Sequence, residues 1–243
     1  MYLLSVLIVV GVILKAECKV VQPRIVNGQV ADVRQYPYMA ILRHRGQFAC
    51  GGALISPRTA ITAAHCLYNP RTFKLYQGLQ VFLEATGETI PASRLIPYPL
   101  YRHQRGLTKY DIGVIQLQRP SKLKRLPVLN REKRLEAPKT PAVLIGYGKT
   151  EVGSLSRRLR VTRTQVLRPG SVSFTFEVYN GKSGSCNGDS GSPAIEFSGQ
   201  TPIVVGVTSG VPTVKGRTCD VIHDAQSYTS VSDFHSWITK WII

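Results

Sequence analysis

Between residues 38 and 210 the apolar residues arrive in short bursts, among them YMAILR, TAITAAHC, IGVIQL, AVLIGYG and PIVVGVTS, separated by Gly, Pro, Asn and charged residues. Such runs, rich in Val, Ile and aromatics and bounded by turn formers, have the length of strands and are too short for helices. They predict an all-β chain, a barrel or a sandwich. With 243 residues, 43% of them hydrophobic, there is enough apolar material for a substantial core and too much for a disordered chain. One segment departs from the pattern: Val231, Phe234, Trp237, Ile238, Trp241 and Ile242 recur at spacings of three and four, which predicts an amphipathic helix over about 231–243. The basic, proline-bounded stretch from about Arg119 to Pro141 is the natural connection between two halves, and the sequence shows no internal repeat.

The first residues, MYLLSVLIVVGVIL, are apolar as far as Lys15. This is shorter than the roughly 20 residues that a spanning helix needs and fits a secretory signal peptide, with cleavage expected around Ala16 to Cys18. Five cysteines are present, and if Cys18 leaves with the leader then Cys50, Cys66, Cys186 and Cys219 remain. Four cysteines in an oxidising compartment suit two disulfides, and the residues themselves leave three pairings open. The chain carries 31 Lys and Arg against 14 Asp and Glu, a formal charge of +17, with clusters at Lys122–Arg125, at Arg131–Arg134 and from Arg157 to Arg168. A surface of this kind draws in polyanions such as sulfated glycans, although a merely solvated basic face is the plainer reading. No metal-ligand cluster, phosphate loop or dinucleotide fingerprint occurs, so neither a metal nor a cofactor is indicated.

Chemistry concentrates in three segments. In CNGDSGSP, from Cys186 to Pro193, glycines flank an Asp-Ser pair, so the backbone can turn sharply and leave the Ser190 hydroxyl exposed at the turn. TAAHC supplies an imidazole at His65, and KYDIGVIQL places Asp111 at the head of an apolar strand. A neutral imidazole can take the serine proton, and a buried carboxylate can fix its tautomer. Taken one at a time, each of these residues has an ordinary structural reading.

Together with IVNG at Ile25 and CGGALIS at Cys50, these segments, in this order, make the chain resemble the chymotrypsin and trypsin-like serine proteases over essentially all of residues 25 to 243. The resemblance implies two six-stranded antiparallel β-barrels, about 25–120 and 135–230, with the site in the cleft between them and a C-terminal helix. It implies a secreted serine endopeptidase with His65, Asp111 and Ser190 as catalytic residues and the backbone N–H groups of Gly188 and Ser190 as the oxyanion hole. It pairs Cys50 with Cys66 and Cys186 with Cys219.

The same resemblance implies a zymogen: residues 1–18 as the signal, 19–24 as a short propeptide, and a cut after Arg24 that frees the amino group of Ile25 to pair with Asp189. The substrate pocket would be lined by Gly184, Ser209, Val211 and Gln226. Relatives that cut after Lys or Arg carry an acid where this chain has Gly184, so small or uncharged residues are expected before the cut. A two-residue shift in alignment would instead bring Asp224 to the pocket floor. One further departure is Ser192, which stands where the family's GDSGGP pattern has a glycine. The partners implied are protein or peptide substrates, an activating trypsin-like protease and protein inhibitors.

Overall fold

A computed structural model describes residues 25–104, 107–150, 153–170, 174–210, 219–221, 223 and 225–243. Cys18, Arg24, Val211 and Asp224 therefore lie outside the described residues. The strands in chain order are β1 (Gln29–Val30), β2 (Met39–His44), β3 (Gln47–Ser56), β4 (Thr59–Thr62), β5 (Leu79–Leu83), β6 (Glu88–Pro97), β7 (Arg102–Gln104), β8 (Leu107–Lys109) and β9 (Gly113–Leu117). There follow β10 (Val128–Leu129), β11 (Pro141–Gly146), β12 (Arg160–Pro169), β13 (Thr175–Val178), β14 (Pro193–Ser198), β15 (Thr201–Gly210) and β16 (Gln226–Ser230), then the α-helix α1 (Val231–Thr239).

Two six-stranded antiparallel barrels result. The first closes in the order β2-β3-β4-β9-β6-β5. In the second, the path β12-β11-β14-β15-β16-β13 closes through the pairing of β12 with β13, in which Val166 faces Val178. Strand β5 shows the period-2 pattern that a barrel wall requires: Leu79, Val81 and Leu83 are buried, and Gln80 and Phe82 between them are less so. The core of the second barrel gathers Leu144, Val166, Phe176, Val178, Ala194, Val205 and Tyr228, with Phe176 stacked on Tyr228 at 5.8 Å between centroids.

Strand β1 does not join the barrel nearest to it in sequence. It pairs with β12, Gln29 opposite Val161, so the segment just after Arg24 is tied to the second barrel. The connection between the barrels contributes β10, parallel to β15, and a 3-10 turn at Lys133–Glu136. Helix α1 begins with the Ser230 hydroxyl accepting from Asp233 N–H and buries Val231, Phe234 and Ile238. It is shorter than the periodicity alone suggests. Past Thr239 the chain tightens into i→i+3 bonds, and the first barrel captures it: Gln116 Nε2 donates to the Trp241 carbonyl and Ile243 N–H to Thr59 Oγ1.

Candidate active site

His65 is carried on a 3-10 turn, Ala64–Leu67, directly after β4, and the disulfide Cys50–Cys66 ties this turn to β3. Asp111 stands two residues before β9, after Tyr110, whose backbone lies in the left-handed region at φ 55°. The Asp111 side chain, 1% exposed, accepts from three donors: His65 N–H to Oδ1 at 2.9 Å, Ser209 Oγ–H to Oδ2 at 2.8 Å, and His65 Nδ1 to Oδ2 at 2.7 Å. Thr229 Oγ1 donates to the Asp111 carbonyl at 3.0 Å. Donors from both barrels therefore converge on one residue. A buried carboxylate with this many partners is fully compensated for its lost hydration.

The carboxylate fixes the imidazole. With Nδ1–H committed to Asp111, Nε2 is the nitrogen left to accept a proton. Burial alone would lower the His65 pKa, but the charge of Asp111 and its hydrogen bond outweigh it, so the imidazole is held above its usual value. Nε2 lies 3.6 Å from Cys66 Sγ, and among the described residues no hydrogen bond joins Ser190 Oγ to His65.

Ser190 sits in a tight turn braced against both barrels. Gly51 N–H of β3 donates to the Ser190 carbonyl at 2.8 Å, and Gly191 N–H donates to Thr208 of β15 at 2.8 Å. The turn needs its glycines: Gly188 and Gly191 have φ of 98° and 80°, and a Cβ on Gly191 would meet Thr62 Oγ1 at 2.2 Å. The second disulfide, Cys186–Cys219, anchors the start of this turn.

Asp189, one residue before, is also 1% exposed, and among the described residues its carboxylate accepts from Gly148 N–H, at 2.8 Å, and Cys186 N–H, at 2.9 Å. Burial pushes its carboxyl up to about 7 against the pull of those two N–H groups. In the segment after Arg24, Ile25 is buried, and Val26 bridges to Gly184, two residues before Cys186.

Gly184 and Gln226 are brought together, so closely that a Cβ on Gly184 would meet Gln226 Oε1 at 2.2 Å, and Gln226 is 1% exposed. Ser209 donates its hydroxyl to Asp111 and also borders the cavity beside His65. Sequence reasoning did not single out the aromatic cavity beside the imidazole. Tyr68, Pro70, Phe73, Tyr101 and Ser209, with His65 itself, border a space of about 690 Å³. Tyr68 and Tyr101 stack at 5.7 Å, and Phe73, at φ 52°, is 77% exposed. The run LYNPRTF carries the only hint, an Asn-Pro turn with aromatics on either side.

Comparison with known proteins follows the same lines. The trypsin family model matches residues 25–238. The chain belongs to the trypsin family. It is 33% identical to serine protease SP24D of Anopheles gambiae over 88% of this chain and 80% of that protein. It is 31% identical to human granzyme M, over 89% of this chain and 88% of that protein. Among solved structures it resembles neuropsin, a serine protease expressed in the limbic system of mouse brain, with a TM-score of 0.73 at 20% identity over 88% of this chain and 98% of that one, a likeness of fold. This member of the trypsin family is a serine endopeptidase, a hydrolase whose substrates are proteins.

Proposed function

We propose that the chain is a secreted zymogen that, once cut after Arg24, cleaves peptide bonds following small or uncharged residues. Ser190 Oγ attacks the scissile carbonyl carbon while its proton passes to His65 Nε2. Asp111 keeps Nδ1 protonated and stabilises the imidazolium, and the same proton then goes to the leaving amine. The N–H groups of Gly188 and Ser190 take the charge that develops on the carbonyl oxygen, and the acyl-enzyme is released by water. The observation that carries this reading is the 2.7 Å contact of His65 Nδ1 with a buried Asp111 that two further donors hold in place. The serine-imidazole bond is one that forms or tightens only as substrate closes the site.

Secretion is supported by the apolar leader and the two disulfides. Among the described residues no helix is long and apolar enough to cross a membrane. Activation is supported by Asp189, a buried carboxylate with two backbone donors and no cation beside it among the described residues. A freed Ile25 ammonium supplies the missing charge. The preference for small or uncharged residues rests on Gly184, which offers no acid to a substrate cation, and on Gln226 packed against it. The aromatic cavity beside His65 offers an apolar wall to neighbouring substrate residues.

The deciding experiment clips the precursor after Arg24 and measures covalent labelling by a fluorophosphonate, with Ser190→Ala and Arg24→Gln in parallel, and then profiles a peptide library varied at the residue before the cut. Labelling that vanishes in both variants, with small residues favoured, is the expected result. No labelling of the folded, clipped protein overturns the mechanism, and cleavage after Lys or Arg overturns the pocket assignment in favour of Asp224. The basic surface supports an additional attachment to sulfated glycans, which weakens as salt rises; heparin retention that persists in high salt would contradict it.

A further inference from the structure

Ser192 occupies the place of a family glycine, and its hydroxyl is stranded. Oγ is fully buried and makes no hydrogen bond among the described residues. Such an orphan costs free energy unless some state of the protein employs it. The backbone of Ser192 is pinned three times: its N–H donates to the Asp189 carbonyl at 2.9 Å, and its carbonyl accepts from both Thr208 N–H and Thr208 Oγ1 at 2.9 Å.

Its position is defined by two glycines. A Cβ on Gly51 would meet Ser192 Oγ at 2.0 Å, so β3 leaves a gap that the hydroxyl fills. A Cβ on Gly146 would meet Asp189 Oδ1 at 2.0 Å and Ser192 Oγ at 3.2 Å, so the hydroxyl and the carboxylate crowd the same backbone position. Among the described residues the hydroxyl lacks a hydrogen-bond partner and the carboxylate, which has two backbone donors, lacks a cation. Met39, Gly148 and Cys186, which also adjoin them, carry no charge. The titratable group that senses Asp189 is Tyr228, whose phenol burial keeps protonated well above its usual range.

We propose that Ser192 is a positioning residue for activation: in the chain cut after Arg24, its Oγ accepts one N–H of the Ile25 ammonium whose charge Asp189 balances. The inference rests on the activation reading above. An ammonium brings three N–H donors into a dry site, and both oxygens of Asp189 already accept a backbone N–H, so a further acceptor lowers the cost of burying it. The uncut chain has no ammonium at Ile25, and there the hydroxyl is left idle.

The test uses clipped wild-type protein, Ser192→Ala, Ser192→Gly and Asp189→Asn. Two readouts are followed: the alkaline limb of kcat/KM and the rate at which acetic anhydride modifies the Ile25 α-amine at fixed pH. Loss of one hydrogen bond to a charged group is expected to lower the alkaline apparent pKa by about one unit and to speed acetylation about tenfold in both serine variants. A purely packing role would change stability and leave both readouts where they are, which would overturn the proposal. Should one serine variant fail to fold, the other decides. If Asp189→Asn shifts neither readout, the activation reading itself fails; if it shifts both while the serine variants shift neither, only the role of Ser192 fails.

Discussion

Asp111 and Asp189 are equally buried, and they lie in opposite situations. Asp111 receives a hydroxyl, a backbone N–H and an imidazole on one carboxylate, drawn from both barrels. Asp189 receives two backbone N–H groups and burial has pushed its carboxyl up to about 7. The first site is assembled before any substrate arrives, and its partners are all part of the folded chain. The second is short of a positive charge, which on our reading is made only by cutting one peptide bond. Burial alone therefore does not tell a finished site from a waiting one; the inventory of donors does.

Removing the charge at each aspartate tests the contrast. Asp111→Asn should lower kcat of the clipped enzyme about 10⁴-fold near neutral pH, because the amide favours the wrong tautomer of His65; a loss below tenfold would deny Asp111 its role. Asp189→Asn should cost about 10²- to 10³-fold by leaving the Ile25 ammonium buried without a counter-charge, and it should leave the unclipped protein as inert as before.

Stability against pH separates the two aspartates without any catalysis. In the Arg24→Gln precursor, Asp189 has a folded pKa raised from 3.8 to about 7, so its contribution favours the folded state fully below about pH 4 and is lost as the pH rises to 7. Urea titrations should show that the difference between this precursor and its Asp189→Asn partner changes by about 4 kcal/mol at most across that window. The comparison between variants is needed because Glu88 runs the other way: burial opposes its ionisation, but Arg119, Ser121, Lys122 N–H and Thr86 hold it down to about 2, and that stability is lost as pH falls from about 4.5. A pH-independent difference would mean that Asp189 is already paired in the uncut chain.

The smallest effect concerns Ser209. Ser209→Ala removes one of three donors to the Asp111 carboxylate, and kcat/KM should fall about tenfold with the fold intact. The acid limb of wild-type kcat/KM should lie above the ordinary imidazole value of 6.5, in keeping with the raised His65 pKa. A limb at or below 6.5 would show that burial outweighs the Asp111 charge.

Much of this was legible in the chain. The strand-length apolar runs carry the all-β architecture, and the segments around His65, Asp111 and Ser190 carry the chemistry we propose, because a reactive turn and an oriented imidazole each demand particular residues close in sequence. The roles of Ser209 and Gly51 were not legible. Ser209 meets Asp111 across 98 positions, and Gly51 N–H reaches the Ser190 carbonyl from the other barrel. Neither partner leaves a local mark, and a serine at the end of a strand reads equally well as a pocket wall.

The sequence by itself determined that the chain would form short strands, end in one amphipathic helix, and carry a serine, a histidine and an aspartate in segments suited to acyl transfer, since those properties depend on neighbours a few residues apart. Only the tertiary structure decided that β1 joins the second barrel, that Ser209 donates to Asp111, and that Asp189 and the Ser192 hydroxyl, which has no hydrogen bond among the described residues, are buried against the same backbone position. Those outcomes depend on which distant donors reach a buried oxygen. Closing the barrels settles that, and the order of residues along the chain does not.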